Sequence, residues 1–599
     1  METMDVWDLS VLYESMDDPA FSSDIEEAAR GLAEVCRDVR SLGASPAADD
    51  FAALFGRIDR ALNVQDKVVC FRRLVLMTDV ENAAALGFSG RIDRLESMRG
   101  ELLSLLAERI AALANPEALA AAPALSQYRD YLLRVAAQRV HRLPPAEEGA
   151  IHAMQQNGGE AWFRLRNRLD ASMVAVVKSG RQSINQPINA VRGLAFSRAT
   201  GERLEGYRAE LSAYAAHRAL YADCLNAIKG EALALADLRN YPSVLAWMLD
   251  ISRMRQDTLE ALLKAVRAVL PAMRRYLRAK AALLGHRNGI PYYELYAPLG
   301  APGDAFTLKE AGNLLSEVFR AFSPDYGAFI ESAFARRWID ATPRAGKQGG
   351  ALCAPLSAVR ESRVFCNFDG SLAGVLTLAH ELGHAWHDRC TFDVPLLVRD
   401  APTPVCETAS TFAETLVYGK MLYLASDEER LYLLDALLSG AARNTVDIYS
   451  RFLFEDELFT RRKEAPLSGE ALDALMLRCQ KEAYADALDS EAMHPSMWIV
   501  KPHYYIPNFH YYNFPYAFGL LFALGLNRLY EKEPAGFAAR YAAMLGKTCS
   551  SDVEQAAAEM NIDLADPAFW SLAAGELERY ADLFCSIAQA QNGEAFRPA

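Results

Sequence analysis

Apolar residues recur at helical spacing along most of the chain and strict alternation is scarce, so the pattern predicts a mainly α fold. In Ser371 to Arg389, for example, Leu372, Val375, Leu376, Ala379, Gly383 and Trp386 mark one apolar stripe. Asp369 or Ser371 can cap its start. The exception lies between Gly346 and Gly370, where glycines bracket the β-branched and aromatic run Arg363-Val364-Phe365-Cys366-Asn367-Phe368. That run, closed by Asp369-Gly370, predicts a small β-sheet. No period of 20 to 50 residues recurs, which argues against a regular helical solenoid. Pro144-Pro145 and the polar stretch Gln155 to Gly159 are the softest points before a long C-terminal part.

Composition narrows the class. With 599 residues, 51% hydrophobic, 10% aromatic and 23% charged, the chain can build several cores and is neither disordered nor collagen-like. A net charge of -14 disfavours phosphate backbones and anionic lipid, so neither nucleic acid nor membrane is an expected partner. The start, METMDVWDLS, carries acidic residues where a signal peptide has basic ones, and no apolar run is long enough to span a bilayer. A cytoplasmic protein is expected. Ten cysteines, spread singly from Cys36 to Cys585 without CxxC pairs, fit reduced and mostly buried thiols.

The candidate chemistry centres on His380-Glu381-Leu382-Gly383-His384, an HExxH on the predicted helix. Residues four apart stand one above the other, so two imidazoles can grip one zinc ion with Glu381 beside the open coordination position. A third protein ligand is required. His387 lies about 10 Å along the helix axis from His380, too far to share one tetrahedral ion, and reads as a supporting or surface residue. The pattern HExxHxxGxxH fails, with His387 and Cys390 at its last two fixed positions. That leaves a carboxylate from elsewhere.

Thr403-Pro404 reads as an N-cap and first-turn proline opening a helix through Glu407 and Glu414. Glu407, Ser410, Thr411 and Glu414 then share one polar face, from which either carboxylate could reach the ion. Two turns separate the two acids, so they do not bind one metal as equals, and the other would orient a ligand. Spacing leaves the choice open.

A third constellation runs from His503 to Tyr516, with two histidines and five tyrosines in fourteen residues. Most of these rings read as core. Their polar tips nevertheless need partners, and neutral phenol or imidazole donors can stabilise charge on a carbonyl oxygen during peptide hydrolysis. Tyr512 and Tyr516, four apart, would present both hydroxyls on one side of a helix.

The segments Thr377 to Ala385, Glu407-Thr408-Ala409-Ser410 and Tyr511 to Gly519, with Val6 to Tyr13 near the start, resemble oligoendopeptidase F, the bacterial branch of the thimet oligopeptidase or M3 family of zinc metallopeptidases. The resemblance implies His380, His384 and Glu407 as ligands of one Zn2+ per chain, and Glu381 as general base. It also implies His503, Tyr512 and Tyr516 as groups polarising the scissile carbonyl, although the offset from His503 to the tyrosines differs from that in thimet oligopeptidase. The implied fold is a helical N-terminal domain, residues 1-200, over a zincin-type catalytic domain, residues 201-599, with the small sheet at a cleft where it could pair with an extended substrate. Oligopeptides are the implied substrates. The alternatives are a zinc exopeptidase and a non-catalytic helical binding protein. The same donor set also accepts cobalt or manganese, and oligomeric state is left open.

Overall fold

The computed structural model describes residues 6–180, 182–300, 303 and 305–592. The first five residues, part of the acidic start that argues against a signal peptide, lie outside them. Helix predominates, as the spacing predicts. The chain begins with α1 (Pro19–Arg40), α2 (Ala48–Thr78) and α3 (Ser89–Ala111), followed by a hairpin of β1 (Val174–Ser179) and β2 (Gln182–Pro187). Next come α4 (Thr200–Leu238) and α5 (Gln256–Leu283), then the strands β3 (Ile339–Asp340), β4 (Leu352–Leu356) and β5 (Glu361–Phe365). Later helices include α6 (Leu372–Thr391), α7 (Thr408–Leu424), α8 (Ile448–Arg462), α9 (Phe514–Lys532), α10 (Phe537–Thr548) and α11 (Pro567–Asn592). Among the described residues no helix is long and apolar enough to cross a membrane.

Packing divides the chain into two compact units, each gathered from three stretches. One comprises Met1–Val140, Gly303–Met421 and Leu529–Ile562, the other His141–Pro302, Leu422–Arg528 and Asp563–Ala599.

In the first unit α1 packs on α2 and α3. Asp18 caps α1 by accepting from the Ala20 N–H at 2.9 Å, with Pro19 in the first turn. Phe21, Phe51, Phe55 and Leu74 are fully buried there, each worth about 1.5–3 kcal/mol of transfer free energy. Ala354, Leu356 and Phe365 join the same core, which anchors the sheet to these helices.

The predicted sheet is present but its key strand is shorter than the run that announced it. β5 ends at Phe365, and Cys366 to Phe368 leave the strand. It lies between β3, parallel to it, and β4, antiparallel with Ala354 opposite Arg363. Both edges of β5 are therefore occupied. The outer strands of the sheet are β3 and β4.

In the second unit α5 packs along α11, with Tyr276 edge-on to Phe584 at 4.9 Å. The hairpin β1–β2 was not anticipated. Ala175 and Val177 are buried, whereas Val174 and Val176 are half exposed, so its alternation buries one face only and is easily lost among helical spacings.

Candidate metal centre

The helix α6 that carries HExxH starts where its sequence places it. Ser371 is the N-cap and its Oγ accepts from the Gly374 N–H at 3.0 Å. Its rotation about its own axis is fixed from two sides. Trp386 stacks on Tyr326 at 4.3 Å between centroids, and Asp388 Oδ2 accepts from Ser362 Oγ of β5 at 2.8 Å. With that face held against the core, the side chains of His380 and His384 remain 27% and 24% exposed, turned away from it.

Gly383 sets the distance to the next helix. A Cβ there would lie 2.6 Å from Ser410 Cα and 2.8 Å from Ala409 O, closer than any side chain permits. Only glycine lets α6 and α7 approach so closely. Contrary to the expected continuous helix, the segment from Thr403 breaks at Glu407. A four-residue helix, Thr403–Cys406, ends there with Glu407 at φ -91° and ψ 2°, and α7 begins at Thr408. Thr403 is itself the first helical residue, and Pro402 occupies the cap position.

The break aims Glu407 at the histidines. His380 Nε2 lies 3.2 Å from His384 Nε2 and 3.2 Å from Glu407 Oε2, and His384 Nε2 lies 3.4 Å from the same oxygen. A tetrahedral ion with bonds of about 2.0–2.1 Å has donor-to-donor edges of about 3.3 Å, so this triangle fits zinc. Ser410 Oγ, 3.1 Å from Glu407 Oε2, steadies the carboxylate. Glu414 takes the other side of the same imidazole, its Oε1 2.6 Å from His380 Nδ1. Both carboxylates thus serve one histidine, on opposite nitrogens. Among the described residues, His380, His384 and Glu407 form the one group of three acidic, His or Cys residues able to hold a metal ion.

The electrostatics ask for one positive charge at this point. Burial works against protonation of His380, yet hydrogen bonds to Glu407 and Glu414 outweigh it and raise its pKa to about 10. Burial pushes Glu407 up, but His380 and His384 hold its carboxyl well below the usual range. Three donor atoms converging on one point suit a divalent cation. Glu381, 6% exposed, has its pKa raised by burial, partly offset by the two histidines. His387 is buried, its Nε2 2.6 Å from Thr548 Oγ1 on α10, so it is not a surface residue.

The aromatic constellation lies in the second unit, where exposure sorts it. Tyr504, Tyr505 and Tyr511 are core, at 1%, 0% and 2% exposed, and His510 is equally buried. His503, Tyr512 and Tyr516 are only partly buried and stand together. His503 is edge-on to Tyr512 at 5.0 Å and lies 6.0 Å from Tyr516, with 5.3 Å between the two tyrosine rings. Tyr512 precedes α9, which starts at Phe514, so the pair is brought together by a turn into the helix rather than by helical spacing. The N–H of Tyr516 donates to the Asn513 carbonyl there, at 3.1 Å. One residue of this cluster was invisible in the local sequence. Arg451 of α8 donates from Nη2 to His503 Nδ1 at 3.0 Å, across some fifty positions of chain.

Comparison with known proteins identifies the family. The profile described as Peptidase family M3 matches residues 195–576, and that described as Oligopeptidase F matches residues 101–174. An oligoendopeptidase F homolog of Lactococcus lactis subsp. lactis is 26% identical over 401 residues, 66% of each chain. The group B oligopeptidase PepB of Streptococcus agalactiae is 26% identical over 403 residues, again 66% of each. The matched part therefore spans just under two thirds of these relatives' own length. Among solved structures, a Chlamydophila abortus chain described as a peptidase superposes with a TM-score of 0.85 at 20% identity, covering 98% of this chain and 99% of its own. Oligoendopeptidase-F from Enterococcus faecium gives 0.66 at 20% identity, covering 95% and 99%. The fold, the His, His, Glu donor set and a profile match over most of the chain lead to one conclusion: the chain belongs to peptidase family M3, a family of metallopeptidases.

Proposed function

We propose that the protein is a zinc-dependent endopeptidase that hydrolyses internal bonds of short, unfolded oligopeptides. The observation that carries this reading is the triangle of His380, His384 and Glu407 with buried Glu381 beside it on α6. His380, His384 and Glu407 would hold one zinc per chain. Zinc, when bound, supplies Lewis acidity that eases loss of a proton from water. Glu381, its basicity raised by burial, takes that proton and later delivers it to the leaving amine. His503, Tyr512 and Tyr516 are assigned as neutral donors to the carbonyl oxygen as charge builds on it. Burial, then Arg451, Lys501 and Arg166, push His503 down to about 4, which keeps it neutral at working pH.

The family profile beginning at residue 195 supports a functional division near residue 200, with 201-599 the catalytic part. A cytoplasmic setting fits ten cysteines, none of them in a disulfide.

The test is an internally quenched peptide blocked at both ends, incubated with the zinc-loaded protein and with Glu381→Gln. Cleavage by the parent and none by the variant is the expected result. Cleavage that requires a free terminus would make the protein an exopeptidase, and no cleavage of any peptide would leave a binding protein.

A further inference from the structure

The Arg451–His503 contact constrains a proton that no other contact near His503 constrains. A guanidinium carries donors only and stays charged at every accessible pH, so the atom it faces must accept. The atom is His503 Nδ1, 3.0 Å from Nη2. In the neutral ring the proton then sits on Nε2. Among the described residues Nε2 has no hydrogen-bond partner, which leaves that N–H available to a ligand.

Arg451 is built to hold this position. It is 5% exposed on α8, and Asp447 and Glu455 stand one turn to either side of it and compensate its charge. Its guanidinium lies over the Tyr504 ring at 5.9 Å, and Nη2 also approaches the Tyr512 carbonyl at 3.4 Å. Glu455 in turn pairs with buried Lys229 of α4 at 2.6 Å and accepts from Asn513 Nδ2 at 2.9 Å. Two neighbouring turns of α8 therefore grip consecutive residues of the aromatic segment, Tyr512 through its backbone and Asn513 through its side chain. The five residues before α8, Arg443–Asp447, form a π turn, a widening that is frequent at functional sites.

We propose that Arg451 is a positioning residue for the hydrolysis: by donating to His503 Nδ1 it fixes the neutral tautomer whose Nε2–H donates to the carbonyl oxygen. The inference rests on the reading of His503 as such a donor. Charged groups that face His503 from the packed elements are Arg451 of α8, Lys501 of its own segment, 3.6 Å from Asp447, and Arg166 of the helix Gly159–Ser172, 3.7 Å from Asp170. Removing Arg451 leaves two of the three cations, so the imidazole gains basicity and loses its fixed acceptor partner.

The test uses the zinc-loaded full chain labelled with 15N-histidine, the His503 signals being assigned by their loss in His503→Gln. In the parent, His503 should show an unprotonated Nδ1 and a protonated Nε2 at neutral pH. In Arg451→Met the ring should titrate closer to the ordinary histidine value, and kcat should fall by at least about tenfold with KM little changed. Arg451→Lys, which keeps a charged donor, should recover part of the loss. A proton on Nδ1 in the parent overturns the proposal, as does an unshifted His503 titration in Arg451→Met. If Arg451→Met does not fold, the parent spectrum and Arg451→Lys decide. Unchanged turnover in His503→Gln would remove the donor reading itself and the proposal with it. Impaired His503→Gln beside an unaltered Arg451→Met would remove the positioning role alone.

Discussion

Glu414 offers a direct test of the proposed metal site between α6 and α7. Its Oε1 lies 2.6 Å from His380 Nδ1, on the far side of the ring from the nitrogen that faces His384 and Glu407. A carboxylate there accepts the Nδ1 proton, leaves the Nε2 lone pair free and makes it more basic. A charge-assisted hydrogen bond is worth about 1.5–3 kcal/mol and a neutral one about 0.5–1.5 kcal/mol. Glu414→Gln keeps a neutral bond, so it should lose about 1 kcal/mol, or about fivefold in zinc affinity. Glu414→Ala loses the bond and the tautomer control, and should weaken binding about 10- to 100-fold. Glu414 is 31% exposed, which screens its charge and places the alanine variant toward the lower end. Competition with a chromogenic chelator at fixed pH gives the affinities, and melting of the metal-free proteins controls for folding. The order should be parent, glutamine, alanine. Parental affinity in the alanine variant would show that Glu414 is merely a solvated acid. Complete loss of zinc would make it a ligand rather than an orienting group.

Three further outcomes follow from the same geometry. Purified protein should carry one zinc per chain and His384→Ala close to none; equal zinc content in the two would exclude His384 from the donor set. Tyr516→Phe should lower turnover by about 100- to 1000-fold with zinc content, melting temperature and KM held, as for loss of an oxyanion donor, and near-parental steady-state rates would remove Tyr516 from the reaction. His387, buried and held down to about 4, stabilises the fold above the ordinary histidine value, and that contribution is lost as pH falls toward 4. Asp388, raised by burial to about 6, acts in the opposite sense. Comparing parent with His387→Gln isolates the histidine: between pH 7.5 and 5 the parent should lose about 2 kcal/mol of unfolding free energy more than the variant. Parallel pH profiles of denaturant unfolding would contradict a neutral buried His387.

Local pattern made the helical fold, the HExxH helix with its Ser371 cap and the strand at Arg363 legible, because each is written in neighbouring residues. What it missed depended on backbone geometry or distance. The choice between Glu407 and Glu414 stayed open because a continuous helix was assumed. The break at Glu407 lets one acid face Nε2 while the other, on the helix proper, faces Nδ1. Tyr512 and Tyr516 come together through a turn that spacing could not distinguish from a helix. Tyr504 and Tyr505, of the same residue type, are core, and burial alone separates them. The β1–β2 hairpin is short and half buried, so its alternation is weak. Arg451 has no local signature at all; its partner is set by how α8 packs.

The missing side chain at Gly383 makes the site a gauge of helix packing. An ordinary van der Waals contact needs about 3.5–4.0 Å, so a methyl group there would push α7 outward by about 1 Å and carry Glu407 with it. The donor triangle would then outgrow the reach of bonds of about 2.0 Å. On the proposed reading, metal retention is therefore a property of how closely two helices touch as much as of the three groups assigned to the binding. Any substitution that loosens α6 from α7, however far from the histidines, should appear first as zinc leaking away, before unfolding can be seen.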